Sequence, residues 1–149
     1  MTTNEVPVTT RAIVDQFLDR LKAGDAEGVG RLFASEIDWY VPGHPDLPWT
    51  GQRTRREQVS EYLRTMWPHF TPGSSKVDID KVLIDGNDAV VFSTFQHTVK
   101  ANGRSFTTPT AMRLVISDGE ITKMELFEDT RAVANAFFPE SGLDAVEID

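Results

Sequence analysis

The sequence predicts an α+β domain in which helices cover one face of a curved, mostly antiparallel β-sheet. Apolar residues recur at helical spacing in the first half of the chain, and alternating strand patterns fill the stretch from Ala89 to Asp129. Within that stretch, Asn102-Gly103 and Ser117-Asp118-Gly119 are typical of hairpin turns whose residues tolerate positive φ. We therefore expect three consecutive antiparallel strands at Ala89–Lys100, Arg104–Ile116 and Glu120–Asp129.

The other elements follow from apolar spacing, caps and chain breakers. Thr9 or Thr10 suits the N-cap of a first helix, and Gly24-Asp25 separates that helix from a second. Pro42-Gly43 stops a short strand, and Thr54 is the expected N-cap of a third helix. We expect helices at Arg11–Ala23, Ala26–Ala34, Arg55–Trp67 and Thr130–Phe138 (N-cap Asp129), strands at Ile37–Val41 and Lys76–Ile84, and a loop from His44 to Arg53.

Length and composition indicate a single domain spanning residues 1–149, with a core at about 11–138 and tails at 1–8 and 139–149. The net charge of −8 argues against nucleic acid or an anionic membrane as a partner, because both need a basic surface. The absence of cysteine excludes disulfides and thiolate chemistry. No signal peptide or membrane-spanning apolar run is visible, so we expect a cytoplasmic protein.

The two turns also predict which side chains meet on one face of the sheet. Pairing Ala101 with Arg104, and Ile116 with Glu120, places the side chains of three strands in layers. Arg113, Lys123 and Glu125 then fall on the opposite face, in water. The expected layers are Ser93–Met112–Met124, Phe95–Thr110–Leu126 and His97–Thr108–Glu128.

Three segments resemble the nuclear-transport-factor-2-like superfamily, in its SnoaL-like and ketosteroid-isomerase-like branch. They are LKAGDAEGVGRLFASEIDWYVPG (Leu21–Gly43), NGRSFTTPTAMRLVISDGEI (Asn102–Ile121) and ELFEDT (Glu125–Thr130). The resemblance implies a cone-shaped sheet wrapped over about three N-terminal helices, with a short C-terminal helix, the cystatin-like α+β barrel. It further implies an apolar pocket that binds a small hydrophobic molecule, and a homodimer.

The catalytic residues of well-known relatives are replaced in this chain. Ketosteroid isomerases carry a general-base aspartate at the position that resembles Val41, an oxyanion-hole tyrosine at Phe17, and a second carboxylic acid near Thr110. Enzymes resembling limonene-epoxide hydrolase carry an inward aspartate at the position of Leu126. Steroid isomerisation by the usual route is therefore not expected.

His97 and Glu128 are the candidate catalytic residues, because both are predicted to face the apolar cavity. An imidazole beside a carboxyl group can divide general acid and base roles. The structural alternatives are a hydrogen-bonded core histidine and a glutamate at the solvent-exposed rim.

The expected substrate-binding residues are mostly apolar side chains of the concave face. His44, from the loop, or Thr110 is expected to orient a polar group of the substrate. The three histidines show no metal-ligand spacing, so we expect neither a metal nor another cofactor. The candidate binding set is Phe17, Trp39, His44, Leu63, Trp67, Phe95, Thr108, Thr110, Met112, Met124 and Leu126.

Three functional hypotheses follow. The first is a cofactor-independent enzyme, such as an isomerase, polyketide-type cyclase or hydrolase, that transfers protons on a small hydrophobic metabolite. The second is a binding protein that carries an apolar ligand without changing it. The third is a protein-interaction domain that uses the outer sheet face around Phe92, Arg113, Val115 and Phe127, where interleaved charges favour no more than self-association.

Overall fold

The computed structural model describes residues 9–139, in which one six-stranded sheet packs against helices. The predicted tails at 1–8 and 139–149 lie outside these residues, except for residue 139. The helices are α1 (Thr10–Lys22), α2 (Ala26–Gly30), α3 (Glu57–Met66) and α4 (Thr130–Phe137), with a 3-10 turn at Trp67–His69. The strands are β1 (Phe33–Val41), β2 (Gly51–Arg55), β3 (Lys76–Asp85), β4 (Asp88–Thr98), β5 (Ser105–Ser117) and β6 (Glu120–Glu128).

The strand order is β2-β1-β6-β5-β4-β3, and every neighbouring pair is antiparallel except β1 and β6. Strands β3 to β6 therefore form the predicted meander, and the early strand β1 joins it in parallel beside β6. This arrangement confirms the predicted α+β class, with helices before the sheet and a short helix after it.

The helices bury their apolar stripes against the concave face of the sheet. Thr9 caps α1 by accepting the N–H of Ala12, and Asp129 caps α4 by accepting the N–H of Ala132, as predicted. Phe17 of α1 contacts Phe33 of β1 edge-on, with ring centroids 6.1 Å apart. These contacts place one side of α1 over the sheet. Space remains between the helix and the sheet.

Several elements differ from their predicted bounds, and β1 begins at Phe33 rather than at Ile37. Helix α2 ends at Gly30, because the chain joins the sheet at Phe33, which pairs with Ile121. Strand β2 occupies part of the predicted loop, and its sequence Gly-Gln-Arg-Thr-Arg lacks apolar alternation because it is an edge strand. Thr54 does not cap α3; its N–H donates to the side chain of Gln58 instead.

The first hairpin is shifted by two residues from its predicted register. Residues 100–103 form a four-residue loop, and His97 pairs with Phe106 rather than Thr108. The strand ends early because Val99 bridges Phe70 and the Lys100 N–H donates to the carbonyl of His69. A shift of two keeps every side chain on its predicted face but moves it to another layer.

The second hairpin has a two-residue turn, not the predicted three-residue loop. Asp118 (φ 52°) and Gly119 (φ 77°) both adopt positive φ, and Ser117 pairs with Glu120. Taken alone, this turn would reverse the faces of β6. A bulge at Thr122 returns the side chains of β6 to their predicted faces. On one side of the bulge Ile116 pairs with Ile121, and on the other side Val115 pairs with Lys123, so Thr122 is the extra residue.

Candidate functional site

A cavity of about 110 Å³ lies between the concave face of the sheet and the helices. Its size is similar to that of engineered apolar cavities, about 150 Å³, that bind benzene. The exposed Lys22 is among the residues that line it. Nine residues predicted as catalytic or binding residues line it: Phe17, Trp39, Trp67, Phe95, His97, Met112, Met124, Leu126 and Glu128.

The other four predicted binding residues do not line the cavity. Leu63 is in the core at 2% exposure, and the His44 ring packs against Phe138 with centroids 4.5 Å apart. The Thr108 hydroxyl accepts the N–H of Asp129 at 2.9 Å. The Thr110 hydroxyl lies 2.7 Å from that of Ser93, so its hydrogen-bonding capacity is used within the sheet.

The predicted layer of His97, Thr108 and Glu128 does not exist, because both hairpin registers differ from the prediction. Glu128 pairs with Thr110, which pairs with Ser93, whereas His97 pairs with Phe106. Phe106 and Thr110 lie four residues apart on β5, and β4 and β6 lie on either side of it. Ideal strand dimensions therefore separate the backbones of His97 and Glu128 by roughly 16 Å along the sheet. The two residues line opposite ends of one cavity.

Glu128 is the one acidic side chain among the described residues that line the cavity. Burial raises the pKa of Glu128 to about 7 from its ordinary value near 4.5, and the negative charge of Asp129 raises it further. Because its lining neighbours are largely apolar, the charged form gains little solvation there. At neutral pH this carboxyl group is close to half protonated.

Tyr62, on α3, lines the same cavity, and the sequence prediction missed it. Burial raises the pKa of its hydroxyl, and the negative charge of Glu128 raises it further, which indicates that the two groups interact electrostatically. The hydroxyl makes no hydrogen bond within residues 9–139, and its oxygen is not fully shut off from solvent. Tyr62 escaped detection because it adjoins Val59, Leu63 and Met66 on an apolar helix stripe, where a tyrosine resembles a core residue.

His97 is 9% exposed, and three aromatic rings hold it in place. Phe70 stacks on its ring at 4.0 Å with an interplanar angle of 9°, and Phe95 and Phe106 contact it obliquely. Its Nδ1 lies 2.7 Å from the hydroxyl of Ser75. Burial lowers the pKa of His97 to about 4, so the imidazole is neutral at physiological pH.

Aromatic rings form part of the remaining wall. Trp39 is 2% exposed and contacts Tyr62 with ring centroids 4.9 Å apart. Its indole N–H has no hydrogen-bond partner among the described residues. Ser93, predicted in the layer with Met112 and Met124, also lines the cavity. The candidate set did not include these further lining residues: Leu18, Leu21, Lys22, Trp49, Met66, Phe70, Val77, Ile79, Phe106 and Val133.

Several missed residues lie on segments where the sequence carries a weak signal. Trp49 lies in the proline-containing loop, and Phe70 follows the 3-10 turn, so neither belongs to a periodic pattern. Alternation on β3 did indicate that Val77 and Ile79 share a face.

The side chains suited to metal binding do not cluster. Within residues 9–139, no three histidine, aspartate or glutamate side chains lie close enough together to hold a metal ion. His44, His69 and His97 lie on separate elements, and the rings of His69 and His97 pack against aromatic neighbours.

The model of the SnoaL-like domain family matches residues 14–124. This match covers most of the sequence, and the chain belongs to the SnoaL-like domain family. A search of curated proteins gave no significant match. None of the helices in residues 9–139 has the length and apolar character needed to cross a membrane.

Solved structures with about 20% identity to the chain share its fold. An NTF2-like protein from Burkholderia thailandensis aligns with a TM-score of 0.77 at 20% identity, over 87% of this chain and 97% of that one. TerC, co-crystallised with polyporic acid, aligns at 0.74 and 19% identity, over 85% and 96%. A ketosteroid isomerase-like protein from Catenulispora acidiphila, in complex with trimethylamine, aligns at 0.70 and 21% identity, over 86% and 93%.

Proposed function

We propose that this protein is a cofactor-independent enzyme that transfers protons on a small hydrophobic molecule bound in the cavity. Isomerisation, polyketide-type cyclisation and hydrolysis are the reaction types that such a site would support. The observation that carries the proposal is the position of Glu128, an acidic side chain in a mostly apolar cavity, with a pKa raised to about 7. A general acid or base is most effective when its pKa is near the working pH.

In this proposal Glu128 serves as both base and acid. Its ionised form removes a proton from a carbon next to a substrate carbonyl; the electron pair of the broken C–H bond forms a C=C bond, and the π electron pair of the carbonyl moves to its oxygen. The hydroxyl of Tyr62 donates a hydrogen bond to that enolate oxygen. The protonated Glu128 then returns the proton to another atom of the substrate.

His97 has a different proposed role from the one predicted from the sequence. With a pKa of about 4, it is neither protonated enough to act as an acid at pH 7 nor a strong base. It also lies at the opposite end of the cavity from Glu128. We therefore assign it to substrate binding, as a neutral hydrogen-bonding group.

The test uses a ketone that reports proton removal directly. 2-Tetralone is incubated with the protein in deuterated buffer, and NMR follows the exchange of its α-protons for deuterium. We expect the protein to accelerate exchange and Glu128→Gln to lower that acceleration by about 100-fold or more. Glu125→Gln, on the same strand but on the outer face, is the matched control and should leave exchange unchanged. Equal acceleration by wild type and Glu128→Gln would rule out the proposal.

A non-catalytic ligand-binding protein is the second candidate. It is favoured by Val41 and Leu126, which replace the catalytic carboxylates of relatives and are 1% and 5% exposed. Two similar structures also contain small molecules, polyporic acid and trimethylamine. This candidate predicts that 2-tetralone binds to the cavity with no acceleration of exchange.

We further propose that the protein is a cytoplasmic homodimer with one domain over residues 1–149. The outer sheet face exposes the apolar side chains of Tyr40, Leu83, Phe92 and Phe127. Phe92 and Phe127 both pair with Ala111, so they lie in one row across the sheet. Light scattering should give twice the chain mass, and Phe127→Glu should convert the dimer to a monomer.

A further inference from the structure

We infer that the cavity binds a planar, largely apolar molecule that carries an oxygen function at each of two ends. One oxygen would contact Glu128 and Tyr62, and the other would contact Nε2 of His97. The inference rests on the proposed small-molecule function of the cavity and names the class of ligand. It does not depend on whether that ligand is chemically changed.

The first observation is the spacing between Glu128 and His97. The strand pairs place Glu128 and His97 roughly 16 Å apart along the sheet, on ideal strand dimensions. One ligand atom cannot contact both side chains across such a spacing. Two separate polar atoms on one molecule can do so, because both side chains line the same cavity.

Each end offers a hydrogen-bonding atom that has no partner within residues 9–139. Tyr62 is 7% exposed, and its hydroxyl makes no hydrogen bond in this part of the chain. At the other end, Ser75 engages Nδ1 of His97, and Nε2 has no partner in the same residues. Neither atom is among those that are both fully buried and unpaired, so both stay open to water, and a ligand oxygen would take the place of a water molecule there.

Ser75 acts as the positioning residue at the His97 end. Its hydroxyl lies 2.7 Å from Nδ1, and Phe70 stacks on the ring at 4.0 Å, so the ring cannot rotate without losing both contacts. A neutral imidazole donates from one nitrogen and accepts at the other. The bond to Ser75 therefore sets whether Nε2 donates or accepts, and a phenolic hydroxyl can satisfy either case.

The walls between the two ends indicate a flat ligand. Rings of Trp39, Trp67, Phe95 and Phe106 line the cavity. Aromatic side chains pack well against planar ring systems, in stacked or edge-on geometry. An aromatic molecule with a hydroxyl or carbonyl oxygen at each end meets all of these conditions.

The test compares matched phenols that differ by one hydroxyl group. Hydroquinone, 2,6-dihydroxynaphthalene and 4,4′-dihydroxybiphenyl are titrated calorimetrically against the full chain, beside phenol, 2-naphthol and 4-phenylphenol. We expect at least one diol to bind about ten-fold more tightly than its single-hydroxyl parent, because the second oxygen pairs with an atom that has no partner within residues 9–139. If none of the three diols gains affinity over its parent, the inference is overturned.

Two variants test the assignment of the ends. His97→Phe should abolish the gain in affinity of the diol over its single-hydroxyl parent. Ser75→Ala should reduce the gain several-fold. Because Ser75 is exposed, this variant tests the His97 end of the cavity without changing a buried side chain. Imidazole ¹⁵N shifts of His97 should show one tautomer in wild type and a mixture in Ser75→Ala. A diol gain that survives both variants overturns the inference.

The outcome is separable from that of the proposed enzymatic function. If the diol gain is present but 2-tetralone exchange is not accelerated, the ligand class stands and the enzyme proposal fails. If exchange depends on Glu128 but no diol gains affinity, the enzyme proposal stands and the two-ended ligand is excluded.

Discussion

At one end of the cavity burial keeps a carboxyl group protonated up to neutral pH, whereas at the other end burial keeps an imidazole unprotonated. The pKa of Glu128 is raised to about 7 and that of His97 is lowered to about 4. The physical cause is the same in both cases, because a low-polarity environment disfavours whichever form is charged. The cavity therefore favours a neutral state at both ends.

The difference between the two ends lies in what each can do at pH 7. Glu128 exchanges its proton readily there, since its two forms are similarly populated. His97 stays neutral and serves as a fixed hydrogen-bonding group. Burial thus produces one group suited to proton transfer and one suited to recognition.

Among substitutions at the two ends of the cavity, Glu128→Gln is expected to have the largest effect on the pH dependence of stability. In the wild type, the unfolded chain ionises Glu128 from about pH 4.5, but the folded chain does so only near pH 7. Stability is therefore lost as the pH rises through this range. Glutamine removes the loss, so the variant should gain about 3 kcal/mol relative to wild type between pH 4.5 and pH 8. Urea unfolding at a series of pH values measures the difference, and a constant difference would contradict the raised pKa.

His97→Phe should change stability in the opposite pH direction. The unfolded chain protonates His97 below about pH 6.5, whereas the folded chain does so only near pH 4. Wild-type stability is therefore lost as the pH falls through this range. Phenylalanine should remove at most about 3 kcal/mol of that loss. His69→Phe, outside the cavity lining, is the matched control; a similar pH dependence in both variants would exclude burial of His97 as the cause.

The smallest effect is expected from Asp129→Asn. The charge of Asp129 raises the pKa of Glu128 in addition to burial, so removing it should lower that pKa, and by less than the loss of burial would, because burial is the larger cause. Asparagine is also a good N-cap, so α4 should keep its start. Titration of both ends by NMR should show a shift at Glu128 and none at His97. A shift at both residues would indicate a change of the whole cavity instead.

The sequence predicted which side chains lie on the concave face better than it predicted which of them are neighbours on that face. Strand alternation correctly turned Met124 and Leu126 inward and Lys123 outward. It could not reveal that Val99 is held by Phe70, which shortens β4 and moves His97 by one layer. Contacts between distant segments decide such a shift, and no local pattern reports them.

The candidate site shows the same limit. Glu128 was found from its alternation with Met124 and Leu126. Tyr62 was missed because its helix stripe explains it fully as a core residue, and Ser75 was missed because it lies outside any periodic element. The polar partners of a cavity become visible only when the helices are packed over the sheet.

The most direct test of this account is the titration of the Glu128 carboxyl carbon by ¹³C NMR, on protein labelled at glutamate and assigned through Glu128→Gln. We predict a midpoint of about pH 7, well above the ordinary value of 4.5 for a glutamate carboxyl group. A midpoint near 4.5 would place Glu128 in an ordinary aqueous environment and contradict the proposed proton-transfer site.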